Sequence, residues 1–196
     1  MGDLIDRGHH DAIVLKRVES LRRQGRWIQL LGNHEVMNMQ GDFRYAVDGP
    51  GKGFQSKRQR RAYFKHSFLK EMPVIHVHDE TVFVHGDGSD PFLLGRSVES
   101  INTDTRACLQ GQEDKCQSIQ HLVWDRTLAR DVLGRQKPLR QVCQDTLMPM
   151  LSSYNATTLV LGHSPVPLYS DDEIPQLIYT CPQDESMRIV FSDVGM

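Results

Sequence analysis

Three apolar segments of this sequence each end in a glycine beside a side chain that can bind a metal. Segment 27–31 is followed by Gly32-Asn33-His34, segment 81–84 by His85-Gly86, and segment 157–161 by Gly162-His163. In an α/β sheet the carboxyl ends of the strands converge on one crevice, so side chains that are far apart in sequence meet there. The sequence therefore predicts an α/β fold with a polar site along one edge of its sheet.

The remaining apolar pattern predicts helices around these strands. Val14, Val18 and Leu21 recur at helical spacing, which indicates a helix over 11–24 that ends at Gly25. Helices are also predicted over 56–72 and over 139–154, the latter interrupted at Pro149, and further strands over 74–77, 178–179 and 188–191. The polar stretch from 88 to about 118 is expected to be an insertion or a surface excursion of a single domain, 1–196.

The composition excludes several classes of function. A chain of 196 residues suits one domain with its own core. Its net charge of −2 provides no overall field that would attract nucleic acid or an anionic membrane. The basic run Lys57-Arg58-Gln59-Arg60-Arg61 is therefore expected to be a solvated helix face rather than a nucleic-acid site. The first twenty residues are too highly charged for a signal peptide or a membrane span.

The four cysteines, at positions 108, 116, 143 and 181, show no CxxC pair, so a structural zinc site is not expected. A disulfide between Cys108 and Cys116 would form in an oxidising compartment, but free thiols are the favoured interpretation. The compartment stays open, with the cytoplasm as the default.

The polar residues at the predicted sheet edge form a mixed oxygen and nitrogen ligand set. Asp3, Asn33, His85 and His163 suit Mn, Fe or Zn better than a thiolate site would. A carboxylate that bridges two cations holds them about 3.5 to 4 Å apart, where they activate water for in-line displacement at phosphorus. Phosphate esters are the substrates that such a site would hydrolyse.

Three residues beside the predicted ligands have the chemistry for phosphate binding and proton transfer. Arg7 offers a two-pronged donor for phosphate oxygens, although it would equally form a surface salt bridge. His34 would protonate the leaving alkoxide, and Asp6 would orient its ring and raise its pKa. Asp6 would alternatively cap the following helix.

The segments GDLIDRG, GNHE, VHG and LGHSP, in this order, resemble the phosphoprotein phosphatase branch of the calcineurin-like metallophosphoesterases. Residues 37–45 and Val123-Trp124-Asp125-Arg126 are similar to the Shewanella-like protein phosphatases. The resemblance implies a β-sandwich flanked by helices and two divalent metal ions, with phosphorylated proteins or peptides as substrates. It further implies that Asp3 bridges the metals and that Asn33, His85 and His163 bind the second metal. By the same resemblance, His34 is the general acid paired with Asp6, and Arg7 and Arg126 form a phosphate clamp.

The sequence departs from this family at three places. The Asp-x-His motif that supplies the first metal has no counterpart before Met1, so we expect the first strand to be missing and one complete metal site to form. Asp87 stands where the family has a second glycine, and its carboxylate would either repel phosphate or recruit a cation. The chain also stops at Met196, where relatives continue into further strands.

Two alternatives to a protein phosphatase follow from these observations. A pseudophosphatase would bind phosphorylated partners through Arg7 and Arg126 without turnover, as the absent first-metal motif suggests. A symmetrical dinucleoside-polyphosphate hydrolase would use the same metal motifs, although the segment 37–45 argues against it. Neither nucleic acid nor a membrane is expected as a partner, and the oligomeric state is left open.

Overall fold

The structure is a computed structural model that describes residues 1–90, 93–166 and 176–193. Four helices lie within the first 109 residues: α1 (Asp11–Arg23), α2 (Asn33–Gln40), α3 (Lys57–Lys65) and α4 (Val98–Leu109). Four shorter ones follow: α5 (Gln117–Trp124), α6 (Thr127–Val132), α7 (Leu139–Val142) and α8 (Met148–Ser153). The strands are β1 (Ile75–His78), β2 (Thr81–Val84), β3 (Thr158–Leu161), β4 (Ile178–Cys181) and β5 (Asp184–Phe191). The predicted mixed α/β fold is confirmed.

The strands form one five-stranded sheet in the order β1-β2-β3-β5-β4. β2 pairs with β3 in parallel, and β3 with β5 in parallel, whereas the hairpins β1–β2 and β4–β5 are antiparallel. In the parallel register Val84 lies opposite Leu161, the last residue of β3. The residues that follow these two strands therefore leave the sheet side by side, and the amide of Gly162 donates to the carbonyl of His85 at 3.1 Å.

The helix predicted over 56–72 is divided into two pieces. The Ser56 side chain accepts from the amide of Gln59 and starts α3, which ends at Lys65. The Ser67 side chain then accepts from the amide of Leu69 and starts a 3₁₀ turn, Phe68–Glu71. Serine is a favoured residue at a helix N-cap, so the second serine allows a new helical turn to begin in another direction.

The prediction of a buried strand over 27–31 is wrong. Leu30 and Leu31 are buried, but the side chains of Trp27 and Ile28 are 46% and 60% exposed. The amide of Leu31 donates to the carbonyl of Pro73, and the segment joins no ladder among the described strands. A short apolar run indicates burial without specifying a hydrogen-bonded neighbour, which is why the sequence pattern misassigned this segment.

The segment 88–118 is not a surface excursion. It contains α4, in which Ile101 is fully buried. The side-chain amide of Asn102 donates to the carbonyl of Ile75 at 3.0 Å, and its oxygen accepts from the amide of Val74 at 3.0 Å. Helix α4 therefore binds the exposed edge of the sheet at β1, and it covers backbone groups that would otherwise be free to pair with another strand.

The helical segment predicted over 139–154 is interrupted, as expected from Pro149. A π-helical turn, Cys143–Leu147, separates α7 from α8. Because proline has no amide hydrogen and clashes with the preceding turn, the backbone widens just before it. This turn places the Cys143 side chain at the end of β4.

Free thiols were the wrong interpretation of the cysteines. Cys108 is bonded to Cys116, and Cys143 to Cys181, with Cα–Cα distances of 4.9 and 5.8 Å. The first pair was visible as an alternative because its members are close in sequence. The second pair joins the π turn to β4, and only the tertiary fold brings these residues together.

The basic run 57–61 is solvated except at one position. Lys57, Arg58 and Arg61 are exposed, as predicted, whereas Arg60 is fully buried. The prediction of a solvated face is therefore wrong for Arg60. Within the described residues, no helix is both long and apolar enough to cross a membrane.

Candidate metal and phosphate site

Four predicted ligands meet at the carboxyl ends of β2 and β3. His85 follows β2, His163 follows β3, Asn33 begins α2, and Asp3 lies in the loop before α1. One end of the Asn33 amide lies 2.9 Å from His163 Nδ1, 3.1 Å from His85 Nε2 and 3.2 Å from each carboxylate oxygen of Asp3. The ligand atoms of Asp3, His85 and His163 all lie within 4.8 Å of one another. The structure thus brings together the four side chains that the sequence predicted.

This cluster can hold a divalent cation. The available ligand atoms are the carboxylate oxygens of Asp3, one unprotonated ring nitrogen from each neutral histidine, and the side-chain oxygen of Asn33 when it is turned toward the cluster. Such a set suits Mn, Fe or Zn. The second nitrogen of His85, Nδ1, lies 2.7 Å from the carbonyl of Met1, which leaves Nε2 directed at Asp3, 3.3 Å away. A histidine that binds a metal through one nitrogen commonly donates the other N–H to such an acceptor.

The backbone around this cluster adopts strained conformations. Asp3, Asp6, Arg7 and His163 all have positive φ angles, of 52°, 74°, 58° and 58°. Such conformations in non-glycine residues cost of order 1–3 kcal/mol each and tend to cluster at functional sites. These four residues were selected by their side-chain chemistry. Their backbone strain is a separate observation that also indicates a functional site.

Two glycines permit the loops to approach each other. A Cβ on Gly32 would lie 2.4 Å from the amide nitrogen of Asp3, and one on Gly2 would lie 2.6 Å from the backbone of Gly32. Gly2 also has a φ of +87°. Neither position tolerates a side chain unless the Asp3 loop moves away from α2.

Glu35 connects the same two loops, and sequence analysis assigned it no role. It is fully buried, and its carboxylate accepts from the amides of Asp3, Leu4 and Gly32 at 2.7–2.8 Å. Burial, followed by the charge of Asp3, raises the pKa of Glu35. A glutamate three residues after a helix N-cap is a known capping pattern, and this was the signal available in the sequence.

The electrostatics of the cluster favour a cation. Although burial opposes ionisation, the close contact with His85 and the nearby His34 hold the pKa of Asp3 at about 2. Burial, followed by the nearby His85 and Arg126, lowers the pKa of His163 to about 3. At neutral pH the cluster therefore contains an ionised carboxylate and a neutral His163, which are the forms that bind metals.

The metal-free chain should lose stability in acid because of His163. An unfolded histidine titrates near pH 6.5, so between about pH 6.5 and 3 the unfolded chain binds the extra proton. Stability should therefore fall with decreasing pH across this range, by up to about 1.4 kcal/mol per pH unit from this group. Urea unfolding at several pH values measures the slope, and His163→Gln should make it shallower. The control His66→Gln replaces an exposed histidine and should retain the wild-type slope; equal slopes for all three proteins would contradict the assignment.

His34 and Asp6 form a buried pair beside the ligand cluster. His34 Nδ1 lies 2.8 Å from Asp6 Oδ2, and its Nε2 lies 4.0 Å from Asp3 Oδ2. Burial would lower the pKa of His34, but the hydrogen bond to Asp6 and the charges of Asp3 and Asp6 outweigh it and raise that pKa. Asp6 does not cap α1, whose N-cap is His10 and lacks a side-chain cap. The ring therefore has one nitrogen fixed by Asp6 and the other directed toward the cluster.

The two predicted arginines lie at different depths. Arg7 is exposed, with its guanidinium 5.5 Å from the centre of the Tyr45 ring. Arg126 is half-buried, and its Nε is a buried donor without a hydrogen-bond partner among the described residues. Arg126 is close enough to His163 to contribute to its lowered pKa. An unpaired guanidinium nitrogen at this depth suits an anion that would accept from it.

Asp87 has a structural role that neither sequence-based interpretation anticipated. It is buried and accepts from the amide and hydroxyl of Ser89 at 2.9 and 2.7 Å, and from the amide of Leu128 at 2.7 Å. The positive φ of this turn, 62°, belongs to Gly88. Burial, followed by the charge of Asp125, raises the pKa of Asp87. Asp87 therefore ties the turn after His85 to the start of α6, next to Arg126.

Residues 1–180 match the family described as calcineurin-like phosphoesterase. The chain belongs to this family. The match covers most of the sequence, including all eight predicted site residues, and the family implies divalent metal ions.

The sequence of this phosphoesterase is similar to those of two Shewanella-like protein phosphatases. The chain is 27% identical over 187 residues to Shewanella-like protein phosphatase 1 of Plasmodium berghei, which covers 85% of this chain and 50% of that protein. It is 38% identical over 60 residues to Shewanella-like protein phosphatase 2 of Arabidopsis thaliana, covering 28% of this chain and 15% of the relative. This phosphoesterase thus spans half or less of the length of these relatives.

The fold of the phosphoesterase also resembles that of solved structures. A cold-active protein-tyrosine phosphatase of a psychrophilic Shewanella species superposes with a TM-score of 0.63 at 16% identity, over 98% of this chain and 58% of that one. At this identity the likeness establishes the fold alone.

Proposed function

We propose that this chain forms the site of a metal-dependent phosphomonoester hydrolase of the Shewanella-like protein phosphatase type, which acts on phosphorylated proteins or peptides. The convergence of Asp3, Asn33, His85 and His163 carries the proposal, because a carboxylate, an amide and two imidazoles gathered so closely form a ligand set that a divalent cation would bind. The proximity of His34 and of Arg126, whose Nε has no hydrogen-bond partner among the described residues, gives this cation site the parts needed for phosphate chemistry.

The four ligands would hold a Mn, Fe or Zn ion, which supplies a Lewis acid for a phosphoryl oxygen. The described residues provide one such ligand set. Glu35 and the hydrogen bond from His85 to Met1 fix the two loops that carry the ligands. These contacts are made within the chain itself, which reduces the cost of organising the site when a ligand binds.

The remaining site residues bind the phosphate and move one proton. The guanidinium groups of the exposed Arg7 and the half-buried Arg126 donate to phosphate oxygens. His34 keeps its Nδ1–H on Asp6 and donates a proton from Nε2 to the oxygen of the leaving group. The raised pKa of His34 favours the protonated form that this step needs.

Tyr45 supports an aryl phosphate as the preferred substrate. Its ring is 43% exposed, lies under the Arg7 guanidinium and is 5.2 Å from the His34 ring, measured between centroids. An exposed aromatic face between the phosphate-binding arginine and the acid would stack against the ring of a leaving group. We therefore favour phosphotyrosine over phosphoserine or phosphothreonine as the substrate class.

Calorimetry with Mn²⁺ tests the metal site. His85→Ala should weaken Mn²⁺ binding by about 100-fold or more, because it removes a direct ligand, and even outer partners of ligands contribute about 10- to 100-fold. His76→Ala is the matched control, since His76 lies on the adjacent strand β1, opposite Phe83, away from the ligand cluster. Equal Mn²⁺ affinity in His85→Ala and the wild type would refute the ligand assignment.

The same Mn²⁺-loaded chain distinguishes the two classes of phosphate substrate. Faster hydrolysis of a phosphotyrosine peptide than of diadenosine tetraphosphate is expected, since the Tyr45 face and the acid are suited to a single aryl leaving group. The reverse order would instead assign the site to nucleotide anhydrides.

A further inference from the structure

Arg60 is a buried cation that the proposed reaction does not use directly. Its side chain is 0% exposed, and it projects from α3 into a group of three carboxylates. Its Nη2 lies 2.6 Å from Asp11 Oδ2, its Nε 2.8 Å from Asp48 Oδ1, and its Nη1 3.3 Å from Asp6 Oδ1. The Phe54 ring covers the guanidinium, with its centre 4.7 Å away. Arginine suits such a site because its planar group donates in several fixed directions at once.

The contacts of Arg60 divide the two oxygens of Asp6 between different partners. Oδ1 faces Arg60, while Oδ2 accepts from His34 Nδ1 at 2.8 Å and from the side-chain amide of Asn38 at 2.9 Å. The carboxylate therefore cannot rotate without breaking one of these interactions. Its orientation determines the direction of the His34 ring.

Asn38 provides a second connection between Arg60 and the histidine. Its side-chain oxygen accepts from Arg60 Nη1 at 2.9 Å, and its amide donates both to Asp6 and to the carbonyl of His34. One guanidinium nitrogen thus holds both the residue that orients the His34 ring and the residue that fixes the His34 backbone.

Anchoring α3 to the rest of the protein does not require these contacts. The ion pairs to Asp11 and Asp48 already attach the helix to α1 and to the loop after α2. The third nitrogen is directed instead at Asp6 and Asn38, the two side chains that contact His34. A buried ion pair is weak evidence for a stabilising role by itself. The contacts of Nη1 with Asp6 and Asn38 therefore indicate a role in holding His34.

We propose that Arg60 is a positioning residue for the general acid. By holding Asp6 and Asn38, it keeps the Nε2 of His34 directed at the leaving group. The inference rests on the proposed role of His34. A water oxygen forms a bond to phosphorus and releases a proton to solvent while the ester P–O bond breaks, and the electron pair of that bond stays on the leaving oxygen, which takes the Nε2 proton. A loosened ring should therefore matter most when the leaving oxygen is strongly basic.

The leaving-group dependence of Arg60→Lys tests this role. Lysine keeps the charge but cannot reach all the partners of the guanidinium. With Mn²⁺ present, kcat for phenyl phosphate should fall by about 10- to 100-fold, the size of effect expected from a misplaced catalytic group. The kcat for p-nitrophenyl phosphate, whose leaving group needs no proton, should fall less than about 3-fold, and KM should be unchanged for both. Arg61→Lys, on the exposed side of the same helix, should match the wild type. Equal losses for the two esters, or no loss, would overturn the proposal.

A second variant covers the case in which Arg60→Lys does not fold. Asp48→Asn weakens the ion pair at Arg60 Nε, a nitrogen that contacts neither Asp6 nor Asn38. It should lower kcat for phenyl phosphate by about 2- to 5-fold and leave p-nitrophenyl phosphate unaffected. A loss shared equally by both esters would indicate a purely structural role.

A measurement without turnover separates this proposal from the proposed function. Nitrogen-15 spectra of the His34 ring in the metal-free chain, recorded at a pH above the pKa of His34 so that the ring is neutral, should show one tautomer, with the remaining proton on Nδ1, in the wild type and in Arg61→Lys. Arg60→Lys should give a mixture of tautomers. If neither ester is hydrolysed by the wild type, the proposed function fails while this spectrum still tests Arg60. Identical ring signals in Arg60→Lys and the wild type would show that Arg60 does not orient His34.

Discussion

Replacing His34 by alanine should lower kcat for phenyl phosphate by about 10²- to 10⁴-fold, the usual contribution of a general acid. The ring is held between Asp6, 2.8 Å from Nδ1, and the ligand cluster, with Nε2 4.0 Å from Asp3. No other histidine among the described residues has this pairing with a buried carboxylate beside the ligand cluster. Removing the ring therefore takes away the proton that the leaving oxygen needs.

The loss should be smaller for p-nitrophenyl phosphate. The Mn²⁺ affinity should change much less than in His85→Ala, because the His34 ring contributes no ligand atom and the backbone amide that donates to Asp3 is kept in alanine. Parallel calorimetry and steady-state kinetics measure both quantities. His9→Ala serves as the control, since His9 is exposed and close in sequence to Arg7. An unchanged rate in His34→Ala would remove the acid assignment. A lost Mn²⁺ affinity would show instead that His34 supports the ligands.

The convergence of the ligands was predictable because it depends on strand direction. A strand pattern ending in His85 and another ending in Gly162-His163 need only pair in parallel for their next residues to meet, and β2 and β3 do so with Val84 opposite Leu161. Asn33 was included because it follows the segment 27–31, which joins no described strand, and Asp3 because of its Gly-Asp turn; the structure nevertheless places both in the same cluster. Local sequence therefore contained the ligand chemistry, and parallel pairing supplied the geometry.

The support of the site was not predictable in the same way. Arg60 stands within a run of exposed basic residues, and nothing local distinguishes it from Arg61. Its burial depends on Asp6, Asp11 and Asp48, which lie up to 54 residues away. A charged side chain is normally exposed unless the fold surrounds it with opposite charges. Whether such partners are present depends on the tertiary structure, so it could not be predicted from the local sequence.

The exposed Trp27 and Ile28 illustrate the opposite error. Their apolar character predicted a buried strand, but a strand is defined by its neighbours, and the described sheet provides none for this segment. Just before α2, Leu31 packs into the core cluster and Leu30 is also buried, although neither residue belongs to a strand. Within this segment, hydrophobicity predicted burial correctly for Leu30 and Leu31 and wrongly for Trp27 and Ile28.

The Cys143–Cys181 disulfide should be the larger covalent contribution to stability. It closes a sequence separation of 38 residues, against 8 for Cys108–Cys116. In the chain-entropy description, loops of these lengths correspond to about 4 and about 2.5 kcal/mol. The double variant Cys143→Ala/Cys181→Ala should therefore lower the free energy of unfolding more than Cys108→Ala/Cys116→Ala, measured by urea denaturation.

The position of each bridge in the fold reinforces this order. Cys143 and Cys181 are both fully buried and connect the π turn to β4, an edge strand of the sheet, whereas Cys108 and Cys116 join the end of α4 to a partly exposed loop. Removal of the first pair should thus also loosen β4. Treating the wild type with a reductant should reproduce the sum of the two losses. Equal losses in the two double variants, or a larger one for Cys108→Ala/Cys116→Ala, would show that loop length does not govern the stability of this chain, and that the contacts of α4 with β1 matter more.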